Sequence, residues 1–166
     1  MIPTIVTALR AVSTARFFET ERGYQGELLA RLHAALPALR LPGDPIIEQE
    51  YQKTLPNHNI NIRPDIIVHV PTPEGGNRAV GNFAVFELNF QAGPKEAQED
   101  FDNLDTIIGA LNYPLGVFVN IDSVRTQAAS YQGAHRDRIR FFAVRLIDGA
   151  VQVRHAFYTA DGLVER

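Results

Sequence analysis

Arg63-Pro64-Asp65-Ile66-Ile67-Val68, followed after a loop by Phe83-Ala84-Val85-Phe86-Glu87-Leu88-Asn89-Phe90, is the stretch whose reading decides the fold. Both runs are short, apolar and bounded by turn residues, so both read as strands. Between them, Pro71-Thr72-Pro73-Glu74-Gly75-Gly76-Asn77-Arg78 is rich in turn formers, which predicts an antiparallel hairpin. In a hairpin centred near Gly75-Gly76, residues whose numbers sum to about 152 oppose each other, and Asp65 faces Glu87. Opposed residues place their Cβ atoms about 5 Å apart on one face. A slip of two residues or so in the register leaves the two carboxylates near neighbours.

The second strand segregates its faces. Ala84, Phe86, Leu88 and Phe90 alternate on one side and suit a core. Phe83, Val85, Glu87, Asn89 and Gln91 take the other side, which turns polar at its end. A face that is apolar at one end and acidic at the other can close a metal site at the acidic end, because hard divalent cations such as Mg²⁺ take carboxylate oxygens, backbone carbonyls and water.

Pro64-Asp65, a gap, then Glu87-Leu88-Asn89 resembles the PD-(D/E)xK nuclease superfamily, the restriction-endonuclease-like fold. The likeness spans roughly Glu19 to Asp122 and rests on the order of elements as well as on the motif. It implies that Asp65 and Glu87, with the carbonyl of Leu88, are ligands of Mg²⁺ or Mn²⁺. It implies hydrolysis of phosphodiesters in nucleic acid, DNA in the first instance. The family has a Lys where this chain has Asn89, and Lys95 a few residues on is the substitute amine to consider. The resemblance also draws in an acid of the first long helix, Glu27, with Glu21 as its competitor. Many enzymes of this fold act as dimers, so a homodimer is compatible with the likeness. The alternative is a degenerate nuclease fold, without catalysis, that binds nucleic acid or protein.

Around this core the chain punctuates itself clearly. Ile2 to Val12 reads as a short helix. Thr20 to about Leu36 is a longer one, with Tyr24, Leu28, Leu32 and Ala35 at helical spacing. Ile46 to Lys53 alternates like a strand, and Thr54 to Asn61 is a polar loop. Pro94 suits the first turn of a helix running from about Lys95 to Leu111, where Ala97, Phe101, Leu104, Ile108 and Leu111 form the buried stripe. Glu96, Glu99 and Asp100 complement the positive end of that helix. Leu115 to Ile121 is a continuous apolar run, the mark of a strand buried on both faces. Arg138–Ile147 and Val151–Tyr158 are two more strands joined by the tight-turn pair Asp148-Gly149. The residues from Thr159 onward carry no clear signal. The expectation is one α/β domain over residues 1–166. Its restriction-endonuclease-like αβββαβ core has a mixed central sheet and is followed by an extra C-terminal hairpin.

Composition narrows the classes. A hydrophobic content of 45% supports a packed core without staples, and with no cysteine there is neither a disulfide nor a thiolate zinc site. That is compatible with a reducing compartment, and a cytoplasmic location is the expectation. A net charge of −3 argues mildly against strong autonomous binding to nucleic acid. Arg136, Arg138 and Arg140, with Arg125 nearby, form the densest basic cluster. It reads either as a phosphate track or as a charged strand edge. No apolar run approaches the length of a membrane span, and Arg10 breaks the apolar start in a way that does not fit a secretory signal. The five histidines lack zinc spacing. His69 shares a strand face with Asp65 but sits too far along it for a common ligand shell, and reads as a partly buried structural histidine.

Overall fold

The computed structural model describes residues 1–166, apart from the side chains of Leu55 and Asn57. Its seven strands lie side by side in chain order: β1 (Ile46–Gln49), β2 (Ile66–His69), β3 (Asn82–Phe90), β4 (Gly116–Ile121), β5 (Ile139–Ile147), β6 (Ala150–Thr159) and β7 (Gly162–Glu165). β1, β2 and β3 pair antiparallel, as do β5, β6 and β7. The two central joins, β3 with β4 and β4 with β5, are parallel, so the sheet is mixed.

Parallel neighbours need a crossover. The first is helix α4 (Pro94–Leu111). Pro94 opens it and Asn112, at φ 52°, ends it by donating its N–H to the Ile108 carbonyl. The second is an irregular segment with one 3₁₀ turn at Ala128–Ser130. Both pack on the same sheet face, where Phe101, Leu104 and Tyr131 meet Ile67, Val85 and Phe118. Helices α1 (Ile2–Ala11) and α2 (Glu21–Ala35) cover the opposite face, where Leu9, Tyr24 and Leu28 meet Ile66, Phe86 and Leu88. Thr20 caps α2 by accepting the Gly23 N–H at 3.1 Å. β3 and β4 are therefore buried from both sides, as the apolar run over Leu115–Ile121 anticipates. Truncating Phe86 or Phe118, both at most 1% exposed, would cost about 3–5 kcal/mol. Packing of that size pins the strand register on which the site depends.

The hairpin register is the expected one: Ile66 pairs with Phe86, Ile67 with Val85 and Val68 with Ala84. A bulge between Val68 and His69 absorbs the mismatch at the loop end. Three expectations need correction. β1 stops at Gln49 instead of reaching Lys53, because Glu50 takes φ 48° and turns the chain out of the ladder. The polar loop after it contains a single helical turn, α3 (Leu55–His58). The residues after Thr159 form β7, so the C-terminal addition is three strands of the same sheet and not a hairpin. Asp148 and Gly149 both take positive φ, 50° and 76°, which matches the tight turn read between β5 and β6. Among the described residues no helix is long and apolar enough to cross a membrane.

Candidate functional site

β2 begins at Ile66 while β3 runs on to Phe90, so the β2 side of β3 is open beyond Phe86. Asp65 stands at that opening. Its Oδ2 accepts the Leu88 N–H at 2.6 Å. Its carbonyl accepts the Glu50 N–H at 2.9 Å and the Gln25 side-chain amide at 3.0 Å. β3, the end of β1 and α2 thus all hold the same residue. Continuing the register by one step brings Glu87 opposite it, as the sequence anticipates.

Glu87 is 5% exposed, and its Oε1 has no hydrogen-bond partner among the described residues. Burial drives its pKa well above the carboxylate range, and the charges of Asp65, Asp100 and Glu21, with a proton shared with Asp65, push the same way. Asp65 rises to about 7. Burial is again the main cause, the Leu88 N–H opposes it, and Glu21, Asp100 and Glu50 add to it. Asp100, on α4, rises to about 6 through burial, with the Asn89 amide opposing. Glu21, at the start of α2, rises through burial against the pull of Arg22. These are four acidic side chains in mutual electrostatic reach. Among the described residues no Lys or Arg is ion-paired to Asp65, Glu87 or Asp100. Nor are three acidic or imidazole groups already gathered at metal-ligand spacing. The nucleus of the site is the Asp65–Glu87 pair, with Glu21 and Asp100 outside it.

The remaining sequence candidates divide. Asn89 lies next to the pair but donates its amide to Asp100 Oδ2 at 2.9 Å. Leu88 contributes its N–H to Asp65, and its carbonyl turns the same way, since an extended residue points both groups to one side. The flanking odd-numbered residues point to β4: Val85 and Gln91 donate to Leu115 and Ile121. Glu27 pairs with Arg31 on another face of α2. Glu21 and Gln25, one turn apart, are the residues of α2 that face the site. Lys95 is exposed in the first turn of α4. Glu50 lies 3.6 Å from Arg63 at the rim. His69 is buried, with Nε2 at 2.6 Å from Glu48 Oε2, as a structural histidine would be.

Asp100 was legible only as a charge suited to a helix start. The signal that could have found it is its place beside Phe101 of the buried stripe, where an acid is turned partly inward. The basic cluster disperses. Arg138 donates to Asn112, Arg140 packs over the Phe157 ring and Arg136 over that of Tyr158. Comparison of the chain with protein families, with curated proteins and with solved structures found no match.

Proposed function

We propose that the Asp65–Glu87 end of the sheet is a divalent-cation site of a nuclease-like protein that hydrolyses phosphodiesters in nucleic acid, DNA first among them. The observation that carries this reading is the Glu87 carboxyl, buried, with an unpartnered oxygen, facing a second carboxyl and no cation. Isolated buried carboxylates are costly, and the common remedies are a proton, a basic partner or a metal. The donor set suits a hard cation: two carboxylates and the Leu88 carbonyl, with Glu21 and Asp100 adding negative charge around it. Mg²⁺ or Mn²⁺ bound there supplies neutralisation of phosphate charge and activation of a water. Asp65, locked by three elements, fixes where the charge sits. Glu87 gives up its proton when a cation arrives. Asn89 positions through its amide but brings no charge.

The element order α2, β1, β2, β3, α4, β4, with only the single turn α3 intervening between β1 and β2, supports the restriction-endonuclease-like form of this reading. A second reading, a non-catalytic binding module on the same scaffold, is favoured by one observation: the amide of Asn89, where the resembled family has lysine, is committed to Asp100.

The test is cleavage of plasmid and single-stranded DNA with Mg²⁺ or Mn²⁺, beside Asp65→Ala and Glu87→Ala. Metal-dependent cutting that both variants lose is the expected result. No cutting, together with no metal binding by calorimetry, overturns the enzyme and leaves the module.

A further inference from the structure

Past the other end of β2, on the same sheet face, lies a group of opposite character. Lys53 is 3% exposed, although lysine is almost never fully buried without a partner. Among the described residues no carboxylate lies within ion-pair distance of its ammonium. Its Nζ sits instead over the Tyr51 ring, 4.4 Å from the centroid, and 5.9 Å from that of Tyr113. Glu48, the acid nearest in effect, is engaged by His69. The Tyr113 hydroxyl is buried without a partner among the described residues.

Beside this group opens a cleft of about 420 Å³, lined among others by His58, Asn59, Asn77 and Arg78 and, among the described residues, by no acidic one. His58 Nδ1 accepts the Thr54 N–H at 3.1 Å, which fixes the tautomer and leaves Nε2–H as a donor. Arg78 is anchored by one nitrogen to the Thr72 carbonyl at 3.0 Å, so the rest of its donor fork is free for a ligand. Asn77 Oδ1 accepts the Ala79 N–H at 2.9 Å, which leaves its amide hydrogens as donors. The three polar side chains whose bonding is defined thus each anchor by one group and keep N–H donors in reserve.

We infer that this cleft is a phosphate-binding site, in which Arg78 and the His58 Nε2–H grip the oxyanion, the Asn77 amide closes on it, and the buried charge of Lys53 supplies attraction from beneath. Burial lowers the Lys53 pKa to about 8, with Glu48 opposing and Arg78 adding, so the ammonium remains largely charged at neutral pH. The phosphate can belong to free inorganic phosphate or to a nucleic-acid backbone. The inference does not rest on the carboxyl pair.

The experiment is a titration of the isotope-labelled full chain with inorganic phosphate at constant ionic strength, followed by amide chemical shifts, with chloride as the control. Saturable shifts at His58 and at Asn77 to Ala79 are expected, weakened about tenfold in Arg78→Gln and in Lys53→Met. Thermal melts confirm that each variant is folded. Arg78→Gln lies at the cleft wall and carries the test if Lys53→Met does not fold. A second arm adds a short single-stranded oligonucleotide to Glu87→Gln protein. Shifts of the same amides, reversed by excess phosphate, identify a backbone phosphate, whereas shifts with phosphate alone identify the free ion. No shift in the cleft with either probe, or an unchanged response in Arg78→Gln, overturns the proposal.

Discussion

The two ends of β2 solve the burial of charge in opposite ways. At the Asp65 end, acids meet acids and, among the described residues, no base is ion-paired to Asp65 or Glu87, so these carboxyls hold protons above their usual range. At the His69 end, Glu48 is bonded to an imidazole, while Lys53 and Arg78 outnumber the acids around them. Four residues of extended chain, about 13 Å, separate Asp65 from His69. Electrostatic character therefore reverses within one short strand. On the two proposals above, one end gains from a cation and the other from an anion. A shared hydrophobic face, with Ile67 and Val85 between them, keeps the two fields apart.

The largest effect that sharpens this contrast is the response to metal. With Mn²⁺ at about a hundred times its dissociation constant, the wild-type protein should gain about 2.7 kcal/mol in denaturant melts. Asp65→Asn and Glu87→Gln should lose that gain, and Glu48→Gln, at the opposite end, should keep it. Equal responses in all three variants would dissolve the distinction between the ends.

Next comes pH without metal. The folded Asp65 pKa of about 7 lies above its ordinary 3.8, so the native state binds the extra proton. The associated stability is full below about 3.8 and is lost as pH rises through 7. Burial is the main cause of the raised pKa, and the charges of Glu21, Asp100 and Glu50 push in the same direction, with the Leu88 N–H opposing. Metal-free Asp65→Asn, which cannot ionise, should thus be more stable than wild type by about 1–3 kcal/mol near pH 8 and no more stable near pH 4. Paired melts across that range check it, and a gap that does not widen with pH would remove the repulsion argument.

Smaller is the loss expected at the compensated end. Glu48→Gln weakens the bond to His69 and should cost about 1 kcal/mol in thermal melts. A cost above that of the core truncations would make this pair, and not the carboxyls, the energetic centre of the strand.

Smallest are Glu27→Ala, which removes a partly exposed helical ion pair with Arg31, and Lys95→Ala. Each should change stability by about 0.5 kcal/mol or less and leave the metal response intact. A Lys95→Ala protein that lost cleavage would show that the first turn of α4 closes onto the carboxyl pair during turnover.

Much of this was legible in the chain itself. Pro94 and Asn112 bracket α4, Asp148-Gly149 sets the β5–β6 turn, and alternation along Phe83–Phe90 assigns both faces of β3. The Asp65–Glu87 opposition follows from the loop between the strands, because hairpin register is a local property. The end of β1 was not legible: Glu50 takes positive φ where its N–H bonds the Asp65 carbonyl, a contact between residues distant in the chain. β7 escaped notice because a four-residue edge strand has too few positions to show a period.

Periodicity and turn chemistry, which act within a few residues, thus determined the long helices, the central strands, the hairpin register and the acidic pair. Tertiary structure alone decided which helix residues join them. The rotation of α2 brings Glu21 and Gln25 to the site and leaves Glu27 with Arg31, and the seating of α4 delivers Asp100 to Asn89. The same holds for the gathering of Lys53 and His58, from the β1–β2 connection, with Arg78, from the β2–β3 loop. Such meetings depend on how whole layers pack, and a one-dimensional pattern of apolar and polar residues does not encode the rotation of one layer upon another.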